Sequence, residues 1–206
     1  MKKYKLTTET LQFAGRTLHR IKAVKDFDSI KAGEFGGWIE NEKNLSQDDN
    51  AWIYGDAMVF DNAEVYDNAE VYGNAKVYGN ANVFGNAEVY GNAEVYDNAE
   101  VYDNAKVYGN AEVYDNAKVD GSAAIKGDAK VHDAVDYIVF KNFWSSGRYF
   151  TWTSSNNKWS VGCFYGTGEE LIKKAYADSE KSGREYERVV RYVESILADE
   201  KKEKSN

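Results

Sequence analysis

A unit of six residues repeats fourteen times between Ala51 and Val131, and this repeat limits the possible fold more than any other feature. Its common form is Ala-Glu-Val-Tyr followed by Gly-Asn or Asp-Asn, and Ala occupies every sixth position. Side chains two residues apart on a strand point to the same side, so Ala and Val share one face while Glu and Tyr share the other. A helix would need apolar residues at spacings of three and four, which a period of six does not supply.

Each unit therefore reads as a short strand followed by a corner. Gly-Asn and Asp-Asn tolerate left-handed backbone angles, which a sharp corner needs. One short strand cannot bury its Ala and Val face alone, whereas stacked strands can bury it against each other. The repeat predicts a mainly β chain built around a parallel β-solenoid.

The pattern resembles the hexapeptide-repeat left-handed β-helix family, which places an aliphatic residue four positions before a small one. Val59 with Ala63 follows this spacing, and the match continues to Ile125 with Ala129. In that family three hexads make one triangular coil. The resemblance therefore implies coils of about 18 residues rising roughly 4.8 Å each, around a packed interior with no room for a ligand.

The repeat departs from that family in one respect, because Tyr or Phe follows the aliphatic residue in eleven hexads. In the coil of about 18 residues that the resemblance implies, these aromatics would form three outer ladders at the spacing of neighbouring strands: Tyr54, Tyr72, Tyr90 and Tyr108; Phe60, Tyr78, Tyr96 and Tyr114; and Tyr66, Phe84 and Tyr102. Stacked aromatics stabilise neighbouring strands, and contiguous exposed aromatic area is also typical of interfaces. Both interpretations stay open.

We take two of these ladders, with the acidic residues beside them, as the candidate interaction surface. Its residues are Tyr72, Tyr90, Tyr108, Tyr78, Tyr96, Tyr114, Glu70, Glu88, Glu94 and Glu112.

The charge of the chain is concentrated in the repeat. The formal charge is −8, and residues 51–131 hold fourteen acids and five lysines, which leaves −9 for the repeat and +1 for the rest. An acidic solenoid argues against direct nucleic-acid binding and permits a basic partner. Imitation of DNA is conceivable, but lysines interrupt the acidic columns, so a face kept acidic for solubility is the preferred interpretation.

Composition also bounds the setting of the protein. The sequence contains no run of eighteen apolar residues, so it predicts no membrane helix. The basic residues at its start are not followed by the apolar run that a secretory signal requires. Cys163 is the single cysteine, so no internal disulfide is possible. These features predict a cytoplasmic protein that does not engage a membrane.

The chain divides into four predicted segments: an N-terminal cap over 1–44, the repeat over 45–132, a small α+β domain over 133–198 and a charged tail over 199–206. In the cap, we expect Trp38 to lie across the first coil, residues 27–33 to form a strand and turn, and Ile39 and Leu45 to continue the Ala row. The α+β domain is predicted as three strands over 137–140, 148–152 and 159–164, followed by two helices. Thr167 with Glu170 and Ser182 with Glu185 are predicted capping boxes that begin those helices.

The sequence offers little for catalysis, and we predict no catalytic residue, cofactor or metal site. Many hexapeptide-repeat proteins are acyltransferases with a catalytic His in a cleft between subunits, often beside an inserted loop. No loop interrupts the hexads here, and His132 is interpreted as a surface residue on the outer row. A zinc site with three histidines is excluded, because His19 and His132 are the two in the chain. Cys163 is predicted as a small buried apolar residue of a strand rather than a nucleophile.

Both ends of the chain carry a second resemblance. Residues 4–6, 18–23, 31–40 and 44–46 are similar to the leader of hexapeptide-repeat proteins found widely in bacteriophages and prophages, and residues 162–170 resemble the usual ending of that group. The resemblance implies a viral or prophage origin and a bacterial host cytoplasm. By analogy with small accessory phage proteins, it suggests an inhibitor of a host defence system.

We therefore predict a non-enzymatic interaction protein that binds a host protein, with a defence component as the favoured class of partner, and forms a homodimer or homotrimer along the solenoid faces. The alternatives are an acyltransferase-like enzyme, a sponge for a nucleotide signal, and a structural component of a virion. Binding of acyl-coenzyme A, release of a nucleotide on heating, and presence in purified particles would distinguish these alternatives.

Overall fold

The computed structural model describes residues 2–203, and the chain divides into two compact units after Tyr137. The first unit begins with a hairpin of strands β1 (Tyr4–Phe13) and β2 (Arg16–Ala23), followed by β3 (Phe35–Ile39). Strand β2 pairs antiparallel with both β1 and β3, whereas β3 pairs in parallel with residues 58–59 of the repeat.

The hexads form strands of two to four residues across the described range 51–131. They are β4 (Trp52–Ile53), β5 (Met58–Val59), β6 (Glu64–Val65), β7 (Glu70–Val71), β8 (Lys76–Val77), β9 (Asn82–Val83), β10 (Glu88–Gly91), β11 (Glu94–Val95), β12 (Glu100–Val101), β13 (Lys106–Gly109), β14 (Glu112–Val113), β15 (Lys118–Val119), β16 (Ala124–Gly127) and β17 (Lys130–Val131).

Every third strand of the repeat pairs in parallel, which builds three sheets within residues 4–131. Their strand orders are β1-β2-β3-β5-β8-β11-β14-β17, β16-β13-β10-β7-β4 and β15-β12-β9-β6. Val89 lies opposite Val107 and Val95 opposite Val113, so one coil takes 18 residues. The prediction of a parallel β-helix with this coil length is confirmed.

The interior of the β-helix consists of the Ala and aliphatic rows. From Ala51 to Val131 their side chains are at most 1% exposed. Burial of each Val or Ile side chain contributes up to about 1.5–3 kcal/mol to folding, so the repeat itself supplies the core.

The corners use the residue before each Asn. Asp61 and Asp97 adopt φ of +59° and +58°, and Gly79 adopts +71°, all in the left-handed region. The Asn side chains then form amide ladders between coils, for example from Asn74 to Asn92 and from Asn92 to Asn110, each at 3.0 Å. The corners are thus held by side-chain hydrogen bonds as well as by the backbone.

The N-terminal cap differs from the prediction in its register. Ile39 lies opposite Val59 and Leu45 opposite Val65, so both continue the aliphatic row and not the Ala row. The cause is length, because the spacing of 20 residues exceeds the regular coil by two. Trp38 lies opposite Met58 on the outer side and packs against Leu18 and Phe60, so it does not lie across the first coil as predicted.

Residues 27–33 do not form a strand either. Phe27 and Ile30 make an isolated antiparallel bridge, and both ends of that bridge are held by mutual backbone hydrogen bonds. The segment is a tight turn because those two residues are separated by two others.

The second unit is an antiparallel meander followed by two helices. Its strands are β18 (Tyr137–Lys141), β19 (Tyr149–Thr153), β20 (Lys158–Val161) and β21 (Phe164–Gly166), in that order across the sheet. The predicted strand over 159–164 is split, because Gly162 turns the chain with φ of +57°. Cys163 is therefore exposed in a turn, and the prediction that it is buried in a strand is wrong.

Helices α1 (Gly168–Asp178) and α2 (Glu180–Glu203) pack on this sheet around Phe150, Trp159 and Leu171. The capping box of Thr167 with Glu170 begins α1 as predicted. Ser182 lies inside α2, so its predicted capping role is wrong. Ser179 takes that role one turn earlier, because its hydroxyl accepts the N–H of Ser182 at 3.1 Å.

The predicted charged tail from residue 199 continues α2 as far as Glu203, and residues 204–206 lie outside the described part. Helix α2 is long, but charged residues occur along it. Within residues 2–203, no helix combines the length and the apolar character that crossing a lipid bilayer requires.

Candidate interaction surface

The aromatic residues of the repeat form the three predicted ladders, except that Tyr54 lies edge-on to Tyr72, with ring centroids 6.4 Å apart and an interplanar angle of 89°. Each follows a buried aliphatic residue by one position and so points outward. In the ladder that starts at Tyr54, the ring centroids of Tyr72 and Tyr90 are 4.6 Å apart and those of Tyr90 and Tyr108 4.7 Å apart, with nearly parallel planes. The second ladder has spacings of 5.0–5.2 Å from Phe60 to Tyr114, and the third has 4.9–5.0 Å from Tyr66 to Tyr102.

Tyrosine hydroxyls of the first two ladders donate hydrogen bonds to glutamates of the next coil. Tyr72 donates to Glu88 and Tyr78 to Glu94, both at 2.9 Å. Tyr54 with Glu70 and Tyr96 with Glu112 repeat this arrangement at 3.1 Å. The separation is 16 residues because the glutamate precedes the stacked tyrosine of the next coil by two positions.

These contacts change the acidity of the tyrosines. Burial, followed by the carboxylate of Glu70, raises the pKa of Tyr54 to about 12. Burial, followed by Tyr108 and Glu88, raises the pKa of Tyr90 to about 12. The pKa values of Tyr72, Tyr78 and Tyr96 are also raised, first by burial and then by their hydrogen bonds to glutamate. The phenols therefore stay protonated and keep donating well above neutral pH.

Lysines of the repeat lie against carboxylates one coil away. Lys106 contacts Glu88 at 2.5 Å, Lys76 contacts Glu94 at 2.7 Å, and Lys130 contacts Glu112 at 3.0 Å. Burial raises the pKa of Glu94, but hydrogen bonds from Lys76 and Tyr78 outweigh it and leave that pKa below its ordinary value. Exposed pairs of this kind contribute about 0.2–1 kcal/mol each, but they place positive charge inside the acidic columns.

The structure places the candidate surface on two faces of the β-helix. Tyr72, Tyr90 and Tyr108 share the sheet of β7, β10 and β13 with Glu70 and Glu88. The other group lies on the sheet of β8, β11 and β14, and consists of Tyr78, Tyr96, Tyr114, Glu94 and Glu112. Each group is a partly exposed array on one sheet, held by hydrogen bonds between coils such as Tyr72 to Glu88 and Tyr78 to Glu94. Its role as a contact surface stays a prediction.

His132 ends the second ladder. Its ring lies edge-on to Tyr114 at 5.9 Å, and its Nδ1 is 2.6 Å from Oδ2 of Asp136. The side chain is 53% exposed, in agreement with its interpretation as a surface residue. A carboxylate at Nδ1 orients an imidazole so that Nε2 can exchange a proton with a bound molecule. His19 lies on β2, where its Nδ1 is 3.4 Å from the backbone oxygen of Thr7.

One surface was missed by the sequence analysis. Phe143, Trp144 and Tyr192 of the second unit are more than half exposed, although large aromatic residues are usually buried. The adjacent Phe143-Trp144 pair before Ser145-Ser146-Gly147 was a usable sign, because it places two large apolar side chains beside a turn.

Within residues 2–203, no group of three or more His, Cys, Asp or Glu side chains is arranged to hold a metal ion.

Comparison with known proteins finds a similarity over a short stretch of the chain. No protein-family model matches the chain. An uncharacterized acetyltransferase, YdcK, of Escherichia coli (strain K12) is 39% identical over 62 residues. That stretch covers 26% of this chain and 19% of the relative, so the chain matches about a fifth of the relative's length. The similarity and the observed β-helix together fit a hexapeptide-repeat β-helix protein.

Proposed function

We propose that this chain is a non-enzymatic interaction protein whose β-helix holds tyrosine and glutamate side chains ready for a partner protein. The observation that carries this proposal is the array itself, in which stacked rings are fixed further by hydrogen bonds such as Tyr72 to Glu88. Side chains that are already ordered lose little conformational entropy when a partner binds. Tyr is also favoured at interfaces because its ring is apolar and its hydroxyl is polar.

The chemistry of the faces indicates what kind of partner would fit. Rows of partly exposed rings offer apolar contact, while the net charge of −9 over residues 51–131 favours a partner surface with Lys and Arg. That the partner is a host protein of a defence system, and that the chain comes from a phage or prophage, stay predictions from the leader resemblance.

The test compares two faces of the same β-helix. The chain is used to capture proteins from a bacterial lysate, and the captured protein is then purified for titration. Replacing Tyr72, Tyr90 and Tyr108 together by Ser should weaken its binding at least about 30-fold, as loss of interface hot spots does. The matched control replaces Tyr66, Phe84 and Tyr102 by Ser, which removes three rings from the face of β6, β9 and β12.

Equal binding by the wild-type chain and by both variants, with circular dichroism unchanged, would overturn the assignment of this face. The same comparison with Tyr78, Tyr96 and Tyr114 then tests the other predicted face. If neither group affects binding, the proposal that the tyrosine faces bind a partner fails.

Acyl transfer is the second candidate, and the His132–Asp136 pair is the observation that favours it. The partial relative is named as an acetyltransferase, and His132 has the carboxylate partner that a general base needs. In this role Nε2 of His132 would take the proton of an attacking hydroxyl or amine. Binding of acetyl-coenzyme A, with acyl transfer that His132→Ala abolishes and Tyr66→Ser does not, would support it. Absence of binding would remove it.

The other two alternatives stay predictions. A nucleotide sponge would release a nucleotide when the purified protein is heated, and mass analysis of the supernatant would detect it. A virion component would be present in purified particles.

A further inference from the structure

The loop between β18 and β19 carries two exposed aromatic side chains and is ordered by hydrogen bonds. Asn142 is 1% exposed, and its side-chain oxygen accepts the backbone N–H groups of Trp144 and Ser145 at 3.1 and 3.2 Å. Its amide donates to Oγ of Ser145 at 2.9 Å, and the hydroxyl of Tyr186 donates to Oγ of Ser146 at 3.0 Å. These contacts restrict the backbone of the loop that carries Phe143 and Trp144.

Phe143 and Trp144 are the side chains that this loop presents. Their rings stack with centroids 4.2 Å apart, yet they are 68% and 58% exposed. Trp144 also lines a groove of about 410 Å³ with Phe140, Glu185, Arg188, Val189 and Tyr192. We call the residues Phe140, Phe143, Trp144, Val189 and Tyr192 the C-terminal aromatic patch.

The size of the patch is large for a surface that faces only water. Phe143, Trp144 and Tyr192 are each more than half exposed, and such side chains cover about 150–250 Å² when buried. Together they expose on the order of 350 Å² of aromatic surface, which is within the range of the largest patches on monomers, and these are often functional. A stable interface buries about 800 Å² on each partner, so these side chains supply nearly half of one side.

The charges at the groove indicate the occupant. Its two charged residues, among those that line it, are Glu185 and Arg188, which pair at 2.8 Å and leave no net charge. The guanidinium side chain of Arg188 is 72% exposed, so it can also reach a carboxylate on another molecule. A surface that carries one acid, one base, a projecting ring pair and a groove is complementary to itself across a twofold axis.

We propose that the C-terminal aromatic patch is a homodimer interface, in which the Phe143–Trp144 pair of each copy enters the groove of the other. Arg188 of one copy then faces Glu185 of the second. This proposal is independent of the tyrosine faces of the β-helix, and it places the copy-to-copy contact on the second unit.

The test measures mass by sedimentation and light scattering over a wide range of concentration. The wild-type chain should be a dimer that dissociates on dilution. Replacing Phe143 and Trp144 together by Ser should raise the dimer Kd at least about 30-fold. The matched control is Phe35→Ser, since Phe35 is also 52% exposed but lies on β3; this variant should remain a dimer.

Charge reversal gives a second measurement that keeps the apolar residues. Arg188→Glu should weaken the dimer, and adding Glu185→Arg should restore it, because the pair is then reversed in both copies. A monomer at every concentration, a trimer, or a dimer that persists without Phe143 and Trp144 would overturn the proposal. So would a monomer that binds a different protein through this patch.

Discussion

At the scale of single residues, the corner residue of each hexad decides how closely two coils can approach. Gly79 has φ of +71°, and a Cβ there would lie 2.8 Å from the backbone nitrogen of Asp97. Gly55 has φ of +59°, but a Cβ there would meet nothing within 4 Å. The same backbone conformation is therefore crowded at one corner and open at another.

We predict that Gly79→Ala destabilises the first unit more than Gly55→Ala does. Both changes place a side chain in the left-handed region, which reduces the free energy of unfolding by about 1–2 kcal/mol. Gly79→Ala adds overpacking against the next coil, which costs about 1–3 kcal/mol more. Denaturant unfolding followed by circular dichroism measures the difference. Equal losses would show that the coils separate without cost.

Lys3 is a second residue whose role depends on its surroundings. It is 1% exposed, and its ammonium donates to the backbone oxygens of Ala51 at 2.8 Å and Asp48 at 3.0 Å. It therefore satisfies carbonyl groups where the longer first coil leaves the regular repeat.

Lys3→Met should destabilise the chain by about 1–3 kcal/mol, because it leaves those buried carbonyl oxygens without their donor. Lys2→Met is the matched control. Lys2 is exposed and pairs with Glu42 at the surface, so its loss should cost no more than about 1 kcal/mol. Chemical denaturation of both variants gives the comparison, and a harmless Lys3→Met would contradict this role.

At the scale of elements, the tyrosine ladders act as continuous rows and not as separate side chains. Phe60 and Phe84 occupy ladder positions without a hydroxyl, and their rings stack at the same spacing as the tyrosines. Stacking therefore does not depend on the hydroxyl, whereas any change of stability with pH in these rows does, because only the hydroxyl ionises.

We predict that the β-helix loses stability as the pH rises from about 10 to about 12. The pKa of Tyr54 and Tyr90 is raised from 10.0 to about 12 by folding, chiefly through burial. In that window the folded chain binds more protons than the unfolded chain, so its stability falls as the pH rises. Lys3, whose pKa burial lowers from 10.5 to about 8, acts in the opposite direction, but it does so mostly below this window.

Melting temperature measured against pH, together with tyrosinate absorbance, tests this prediction. Replacing Tyr72, Tyr78 and Tyr96 by Phe keeps the rings and removes three phenols whose pKa is raised. The melting temperature of this variant should therefore fall less than that of the wild-type chain as the pH rises. Tyrosines that ionise at their ordinary pKa in a chain that stays folded would contradict it.

The helix starts of the second unit permit a second comparison between elements. Thr167→Ala should cost about 1 kcal/mol, because Oγ1 of Thr167 accepts the N–H of Glu170 and caps α1. Ser182→Ala should have little effect, because Ser182 lies inside α2. Thermal unfolding of the two variants measures this, and equal losses would place a cap at Ser182 after all.

At the scale of the whole molecule, the chain consists of two compact units with different sources of stability. The first, through Tyr137, buries the Ala and aliphatic rows of the repeat, while the second packs Phe150, Trp159 and Leu171 between sheet and helices. Each unit has its own core, which is the usual condition for separate cooperative unfolding.

We therefore expect two thermal transitions by calorimetry. Ile125→Ala should reduce the free energy of unfolding of the β-helix, and Leu171→Ala should reduce that of the second unit, each by about 2–5 kcal/mol. Both side chains are buried, so each variant should lower the melting temperature of its own unit. If either variant shifts both transitions equally, the two units unfold as one.

Much of this molecule was determined by the sequence alone. The parallel β-solenoid with its outward-facing aromatics follows from one period of six, because strand geometry alternates side chains. The 18-residue coil and the three ladders were what the resemblance to hexapeptide-repeat β-helices implied. The start of α1 followed from Thr167 and Glu170, since a capping box is a local interaction between residues three apart.

What only the tertiary structure decided involves residues distant in the sequence or irregular in spacing. Ile39 and Leu45 belong to the aliphatic row and not to the predicted Ala row, because the first coil is two residues longer than the others. The sequence could not show this shift, because the regular repeat begins only after these residues. Cys163 became exposed because Gly162 turns the chain inside an apparent strand. The exposed Phe143 and Trp144 depend on Asn142 and Tyr186, and the tyrosine–glutamate pairs on two coils meeting at one register. A repeated pattern determines its own fold because each unit meets a copy of itself, whereas a site is determined by which unlike residues the fold brings together.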